Sequence, residues 1–273
     1  MDLQEPLTDQ ELQTIEAIEA SFTKKRSTRA DHTQEPRRRT RRHLPSSVLA
    51  SPSSPSFSLS PCQAANLRMK YQTLSFGGQI LYSRTSVEVE KAAVELLQVL
   101  EAKKKETDQV AIGFDIEWRP SFRRGVLPGK AAVMQICGDT GHCYVMHIIH
   151  SGIPPSLKFL LEDSSLLKVG VGIVNDAAKV SKDYNVCVKG VEDLRCRANQ
   201  KLGGSSQKWS LASLTETLVC KELPKPNKIR LGNWEADVLT KEKIQYAGTD
   251  AFASWHLYQV LESLPDPVLE AAD

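Results

Sequence analysis

From residue 71 onward, short apolar runs alternate with amphipathic stretches along the chain. Residues 79–82 and 110–118 predict two strands, and leucines at 96, 97 and 100 predict an amphipathic helix that begins near residue 86. Two apolar runs at 132–137 and 143–146 flank a polar, glycine-containing turn at 138–141. That arrangement is typical of a β-hairpin.

The second half of the chain predicts mainly helices. Residues 155–161 predict a helix, and the apolar run 167–174 predicts a buried strand followed by a helix from about Asp176. Further helices are predicted after residues 209–211 and from about 240 to 264. Strands that form a hairpin and then alternate with helices predict an α/β fold with a mixed sheet flanked by helices.

The first 70 residues have a different character. Residues 1–23 contain six acidic and no basic side chains, residues 24–43 contain nine basic ones, and residues 45–56 are rich in serine and proline. Such segments bury too little apolar surface to offset the entropy lost on ordering. We therefore predict a disordered tail with basic clusters at 1–70, a folded domain at 71–265 and a short C-terminal tail at 266–273.

The basic clusters in the tail indicate nuclear import or nonspecific contact with nucleic acid, with a plain solvated tail as the alternative. We expect a nuclear protein. The six cysteines are scattered, without the spacing of a zinc site or a disulfide framework, so a reducing compartment is expected. No apolar run reaches the length of about 18 residues that a membrane span requires, so no membrane partner is expected.

Acidic residues occur at unusual places in the predicted elements. Asp115 and Glu117 lie two residues apart, so they share one face of a strand. Asp176 begins a predicted helix, where it would be a metal ligand or simply a helix cap. Asp250 follows Tyr246 by four residues, which places both on one helical face.

Convergence of these four carboxylates on one point would require cations. Two like charges 4 Å apart repel by about 4 kcal/mol even at an effective dielectric constant of about 20. Ligands that are all oxygen favour Mg²⁺ or Mn²⁺ over zinc. Two such ions about 3.5–4 Å apart can act together as a clamp for phosphoryl displacement.

The order of the motifs resembles the DEDD exonuclease superfamily, tyrosine subtype. The three motifs are FDIEW at 114–118, VGIVND at 171–176 and YAGTDA at 246–251; the histidine subtype would have histidine at position 245, which is glutamine. The resemblance covers about residues 75–265. Its segments WSLASL at 209–214 and IRLGNW at 229–234 are more similar to the Werner syndrome exonuclease domain than to bacterial ribonuclease D.

The resemblance implies a ribonuclease H-like fold and two Mg²⁺ or Mn²⁺ ions per site. Asp115, Glu117 and Asp250 would hold the ion that activates a water molecule, and Tyr246 would orient that water. Asp115 would also reach the second ion, which Asp176 supports through water.

Because the chain ends soon after the last motif, we expect a stand-alone, plant-type Werner-like 3′-5′ exonuclease. Any RecQ-type helicase partner would then be a separate chain. The expected reaction releases nucleoside 5′-monophosphates from DNA, with a preference for recessed 3′ ends. Ribonuclease D-like trimming of RNA shares the chemistry and stays open as an alternative. A catalytically inactive nucleic-acid-binding module is the second alternative, although no carboxylate of the motifs is missing.

Basic and aromatic residues near the motifs are candidates for contact with the nucleic acid, because cations bind phosphates and aromatic rings stack on bases. A solvated loop or helix face is the alternative for each. The candidates are Trp118, Arg119, Arg123, Arg124, Lys179 and Arg230. His142, His147 and His150 lack partners at ligand spacing and are expected to be structural.

Overall fold

A six-stranded mixed sheet organises the part of the chain that the computed structural model describes, residues 71–107, 109–203 and 206–266. The predicted tail at 1–70, with its basic clusters, and residues 267–273 of the predicted C-terminal tail lie outside the described residues.

The strands are β1 Gln72–Thr73, β2 Gln79–Ser83, β3 Val110–Trp118, β4 Ala131–Cys137, β5 His142–Met146, β6 Leu166–Gly170, β7 Val191–Asp193 and β8 Lys221–Glu222. The helices are α1 Ser86–Lys104, α2 Ile148–Ser151, α3 Pro155–Glu162, α4 Ile173–Tyr184, α5 Leu194–Leu202, α6 Leu211–Val219, α7 Asn227–Arg230 and α8 Lys241–Ser263.

The order of strands in the main sheet is β2-β5-β4-β3-β6-β7, and β4 is antiparallel to both of its neighbours. The other pairs, β2 with β5, β3 with β6 and β6 with β7, are parallel. Strands β1 and β8 form a separate parallel pair. The predicted α/β class with a mixed sheet between helices is confirmed.

Strand β3 divides the protein into two packed faces. Val110, Ile112, Phe114 and Ile116 point into a core shared with α1 and α3. The alternate positions face the long helix α8, which Ala111 and Gly113 contact directly. Because side chains alternate along a strand, Asp115 and Glu117 continue the face that α8 covers.

One predicted boundary was wrong. The buried strand ends at Gly170 rather than near residue 174, and α4 begins at Ile173 rather than near Asp176. Gly172 precedes the helix with φ of 79°, a left-handed conformation that glycine adopts without steric cost, and it turns the chain early. Asp176 therefore lies within the first turn of α4 and does not cap the helix.

All predicted strands and helices are present, and six further elements were not predicted, namely β1, β7, β8, α2, α5 and α7. In the described part of the chain, no helix has the length and hydropathy needed to cross a bilayer.

The contact between β3 and α8 gives a stability prediction. A Cβ atom at Gly113 would lie 1.9 Å from the carbonyl oxygen of Ala251 and 2.7 Å from the backbone nitrogen of Trp255. Overpacking of a core costs about 1–3 kcal/mol and more when backbone must move, so Gly113→Ala should lower the free energy of unfolding by about 3 kcal/mol or more. Urea denaturation followed by circular dichroism measures the loss.

The matched control is Gly77→Ala, because an added Cβ at Gly77 meets no atom within 4 Å. That variant should unfold at nearly the wild-type urea concentration. Equal stability of the two variants would contradict the close packing of α8 on β3.

Candidate active site

Three carboxylates converge where β3 ends beneath α8. Asp115 and Glu117 come from β3 and Asp250 from α8, and each offers an oxygen within 4.8 Å of the other two. Glu117 is 9% exposed and Asp250 5% exposed. The strand and the helix therefore bring their carboxylates to one point, as expected. The result is a largely buried acidic cluster.

Asp176 and Tyr246 line the same cleft as the acidic cluster, a space of about 400 Å³. The position of Asp176 depends on the turn before α4, where the Gly172 N–H donates to Asp193 Oδ2 at 3.1 Å. Asp193 in turn accepts from the Arg195 guanidinium, with 2.5 Å between Arg195 Nη2 and Asp193 Oδ2. The last residue of β7 thereby holds the start of the helix that carries Asp176.

Polar support around the cluster is incomplete. Gln135 of β4 lies opposite Asp115 in the ladder, and its Nε2 donates to Asp115 Oδ2 at 2.9 Å. Two buried oxygens, Gln135 Oε1 and Asp250 Oδ1, have no hydrogen-bond partner among the described residues. A buried polar atom without a partner costs about 1–3 kcal/mol, so these atoms favour an additional positive group at the site.

Burial disfavours the charged forms of all four acids. It raises the pKa of Asp115 to about 6. Burial and the nearby charge of Asp115 raise the pKa of Asp250 to about 7, and these two causes together with Asp193 raise that of Asp176 to about 8. The pKa of Glu117 is raised well above its usual value by burial and then by Asp115 and Asp250.

The residues present fit a divalent cation. The donor set consists only of carboxylate oxygens, which are the ligands that Mg²⁺ and Mn²⁺ prefer. A cation among them would stabilise the charged forms that burial and mutual repulsion disfavour, and it would give Asp250 Oδ1 a partner. The acidic cluster is thus compatible with a catalytic metal site.

Two cations face the cluster across the cleft, Lys225 and Arg230. The charge of Lys225 opposes the rise in pKa of Asp115 and Asp250, and that of Arg230 opposes the rise for Glu117. Arg230 was predicted from the sequence and Lys225 was missed. Lysines at 221, 225 and 228 made the segment basic, but only the path of the chain between β8 and α7 brings Lys225 to the cleft.

The other predicted nucleic-acid contacts lie in different surroundings. Trp118 lines the cleft. Lys179 is held by intramolecular contacts, since its Nζ donates to the Gly129 carbonyl at 2.7 Å, pairs with Asp183 at 2.9 Å and lies 5.2 Å from the centre of the Trp118 ring. The structure therefore gives Lys179 a supporting role behind Trp118, and its contact with nucleic acid stays a prediction.

The loop after β3 carries the remaining predicted residues. Arg119 lies 4.0 Å from Glu235, whereas Arg123 and Arg124 are exposed and do not line the cleft. None of these three arginines is among the residues that line the cleft, so their contact with a substrate also stays a prediction.

Trp234 is a core residue beside the site. It is fully buried, its Nε1–H donates to the Arg230 carbonyl at 3.1 Å, and its ring centre lies 6.3 Å from that of Tyr246. Burial lowers the pKa of His147 to about 4, so the ring is neutral and Nε2–H donates to the Trp234 carbonyl at 2.9 Å. His147 thus has the structural role expected of it.

Comparison with known proteins identifies the family. Residues 85–264 match the family model described as 3′-5′ exonuclease. The chain belongs to the 3′-5′ exonuclease family. The exonuclease is 52% identical over 284 residues to a 3′-5′ exonuclease of Arabidopsis thaliana, and the match covers 97% of each chain.

A second relative is the mouse bifunctional 3′-5′ exonuclease/ATP-dependent helicase WRN, at 35% identity over 194 residues. This match covers 71% of the exonuclease and 13% of the mouse protein. The predicted membership of the DEDD superfamily, with plant and Werner-type relatives, is confirmed.

Two solved structures share the fold. The Nibbler EXO domain of Aedes aegypti superposes with a TM-score of 0.55 and 20% identity, covering 69% of the exonuclease and 90% of that chain. Escherichia coli RNase D superposes with a TM-score of 0.53 and 18% identity, covering 68% and 46%. The predicted ribonuclease H-like fold is confirmed by this likeness.

The raised pKa values predict that a divalent cation stabilises the fold most at high pH. An acid whose pKa is raised on folding stabilises the protein when protonated, so this contribution is full below the ordinary pKa of 3.8 and is lost as pH rises through about 6–8. Mg²⁺ or Mn²⁺ should therefore raise the melting temperature by several degrees more at pH 8 than at pH 5. Differential scanning fluorimetry measures both increments.

Asp250→Asn removes one charge from the cluster. At pH 8 it should raise the melting temperature of the metal-free protein and reduce the gain from metal. Asp237→Asn, whose side chain is 85% exposed in the wild type, is the matched control and should behave as wild type. An undiminished response to metal in Asp250→Asn would argue against the cation site.

Proposed function

We propose that this protein is a divalent-metal-dependent 3′-5′ exonuclease that acts on DNA, releases nucleoside 5′-monophosphates and prefers recessed 3′ ends. The observation that carries the proposal is the cluster of Asp115, Glu117 and Asp250 in a cleft shared with Asp176 and Tyr246. Family membership gives the direction of hydrolysis.

The preference for DNA over RNA rests on similarity. Residues covering 71% of the chain are 35% identical to the bifunctional 3′-5′ exonuclease/ATP-dependent helicase WRN of mouse, and the segments WSLASL and IRLGNW resemble the Werner-type exonuclease domain. RNA trimming is the alternative outcome of the substrate test below.

The acidic cluster supports an assignment of the metal ligands. Asp115, Glu117 and Asp250 would hold one Mg²⁺ or Mn²⁺ ion, and Asp115 would also reach a second ion, which Asp176 would support largely through water. When bound, two such ions activate a water nucleophile and stabilise the leaving 3′ oxygen of the scissile phosphodiester.

The side chains around these ligands have distinct roles in hydrolysis. Tyr246 stays a neutral phenol because burial raises its pKa, so its hydroxyl can orient the attacking water. Lys225 and Arg230 place positive charge beside the phosphate, whose charge grows as the water oxygen bonds to phosphorus. Cleavage of the bond to the 3′ oxygen then leaves a shortened strand with a free 3′ hydroxyl.

The cellular setting belongs to the same proposal. The basic clusters within residues 1–70 would direct the protein to the nucleus. The similarity to the exonuclease part of a helicase-containing protein supports cooperation with a separate RecQ-type helicase. Such a partner would open the duplex ends that this domain digests.

The first of three predictions from the proposed function concerns the substrate and the polarity of digestion. With Mg²⁺ or Mn²⁺, a 5′-labelled DNA strand with a recessed 3′ end should yield a ladder shortened from the 3′ side. A blunt duplex should be digested more slowly, because it lacks the overhanging 5′ template strand whose phosphates give the domain additional backbone contact at a recessed end. Denaturing gels that compare recessed DNA, blunt DNA and a matched RNA strand measure the rates.

Asp115→Ala should abolish this digestion, whereas Asp237→Asn should retain it. Faster digestion of the RNA strand would favour the ribonuclease D-like alternative. Release of a 5′-labelled mononucleotide at the earliest times would refute the assigned polarity.

The second prediction separates Tyr246 from the metal ligands. Tyr246→Phe removes only the hydroxyl that positions water, so turnover should fall by about 10²-fold. The metal-dependent rise in melting temperature should be retained, in contrast to Asp250→Asn. If both variants lose the response to metal equally, the role given to Tyr246 is wrong.

The third prediction concerns the N-terminal segment. Deletion of residues 1–70 should leave cleavage of short strands unchanged, abolish nuclear accumulation of a fluorescent fusion and weaken binding to long strands. Replacement of the arginines at 37–39 and 41–42 by glutamine should reproduce the change in localisation. Unfolding of the truncated protein would show that the domain begins before residue 71.

A further inference from the structure

Trp209 is a half-buried indole on the wall of the active-site cleft, and the proposed mechanism gives it no role. It lies directly before α6, whose first turn is capped by Ser210. The indole packs against the apolar cluster beneath α6 and α8, while part of it faces the cleft. Trp209 therefore has one side supported by the core and one side available to a ligand.

Asn199 of α5 fixes the orientation of this indole. Its Oδ1 accepts from the Trp209 Nε1–H at 2.9 Å and from the Gln207 N–H at 3.0 Å. Its Nδ2 donates to the Gln207 carbonyl at 3.2 Å. The one polar atom of the indole is thus satisfied within the protein, so the surface it presents to the cleft is an apolar aromatic one.

Comparison with Trp234 shows that this arrangement is not simply core packing. Trp234 also has its Nε1–H bonded within the protein, but it is fully buried. Trp209 has the same internal anchoring and stays partly open to the cleft. Its neighbours on the cleft wall include Val171 and Leu211, which are apolar as well.

The cleft thus contains two kinds of chemistry. Carboxylates, Lys225 and Arg230 provide for metal ions and phosphate, whereas Trp209 and its apolar neighbours provide a site that suits a flat, weakly polar ring. A nucleotide has both parts. We propose that Trp209, held by Asn199, is the stacking platform for the base of the 3′-terminal nucleotide, an inference that rests on the proposed exonuclease function.

Stacking of this kind requires a base but not a particular base, because every nucleobase has an aromatic face. The platform would therefore select strands that end in an intact nucleotide against strands that end in an abasic sugar. Stacking of a base on an aromatic side chain typically changes affinity by about 5- to 150-fold.

The test combines a change in the protein with a change in the substrate. Wild-type protein should digest a single strand with an intact 3′ end about 5- to 150-fold more efficiently, in kcat/KM, than the same strand with a 3′-terminal abasic nucleotide. Trp209→Leu should reduce this ratio to near one, and Trp209→Phe should largely restore it. Asn199→Ala, which frees the indole edge, should give an intermediate ratio.

Trp255→Leu is the matched control, since Trp255 is also a partly exposed tryptophan but does not line the cleft. It should leave the ratio unchanged. If Trp209→Leu fails to fold, Trp209→Phe and Asn199→Ala still decide the outcome, because each ratio is measured within one folded variant. A ratio in folded Trp209→Leu or Asn199→Ala that equals the wild-type value would overturn the proposal.

A binding measurement distinguishes failure of this inference from failure of the proposed function. A strand with 2-aminopurine at its 3′ end, bound in the presence of Ca²⁺, should lose fluorescence on stacking with wild-type protein but not with Trp209→Leu. If no strand is digested with Mg²⁺ or Mn²⁺, the proposed function fails, and quenching still reports on the platform. Digestion without any quenching would overturn the platform alone.

Discussion

Helix α8 approaches strand β3 so closely that Gly113 has no room for a side chain, and the site depends on this contact. A Cβ there would lie 1.9 Å from a carbonyl oxygen of the helix. Two and four residues later on the same face, the strand carries Asp115 and Glu117, and the helix contributes Asp250 to the same cluster. A wider separation of the two backbones would move the carboxylates apart and leave space for water among them.

Close packing brings these acids together at a cost to the fold. Burial and mutual repulsion raise their pKa values, and Asp250 Oδ1 has no partner among the described residues. Residues selected only for stability would not be placed in this way. The cost is consistent with a site whose ligands are held in position before a cation arrives, because the surrounding core and not the cation fixes their geometry.

Much of this arrangement could be predicted from the sequence, because it is local. The alternation along β3 and the four-residue spacing of Tyr246 and Asp250 specify faces without any knowledge of the fold. The predicted start of α4 was wrong because the helix begins directly after a single left-handed glycine, Gly172, whose conformation the local pattern does not show. Lys225 was missed because its place at the cleft depends on the path of the chain between β8 and α7. The partner of Lys179, the Gly129 carbonyl, lies 50 residues away and is invisible to a local pattern.

Strand β7 consists of three residues at the edge of the sheet. Its last residue, Asp193, nevertheless accepts the Gly172 N–H and so helps to hold the glycine turn from which the helix bearing Asp176 begins. Asp193 has no direct part in the chemistry, and it lies in an edge strand. A genetic variant at this position would therefore be expected to have little effect. A ranking of variants by their distance from the cleft would therefore underestimate the effect of a substitution at Asp193. A ranking that follows the hydrogen bonds of the turn before α4 would include that effect.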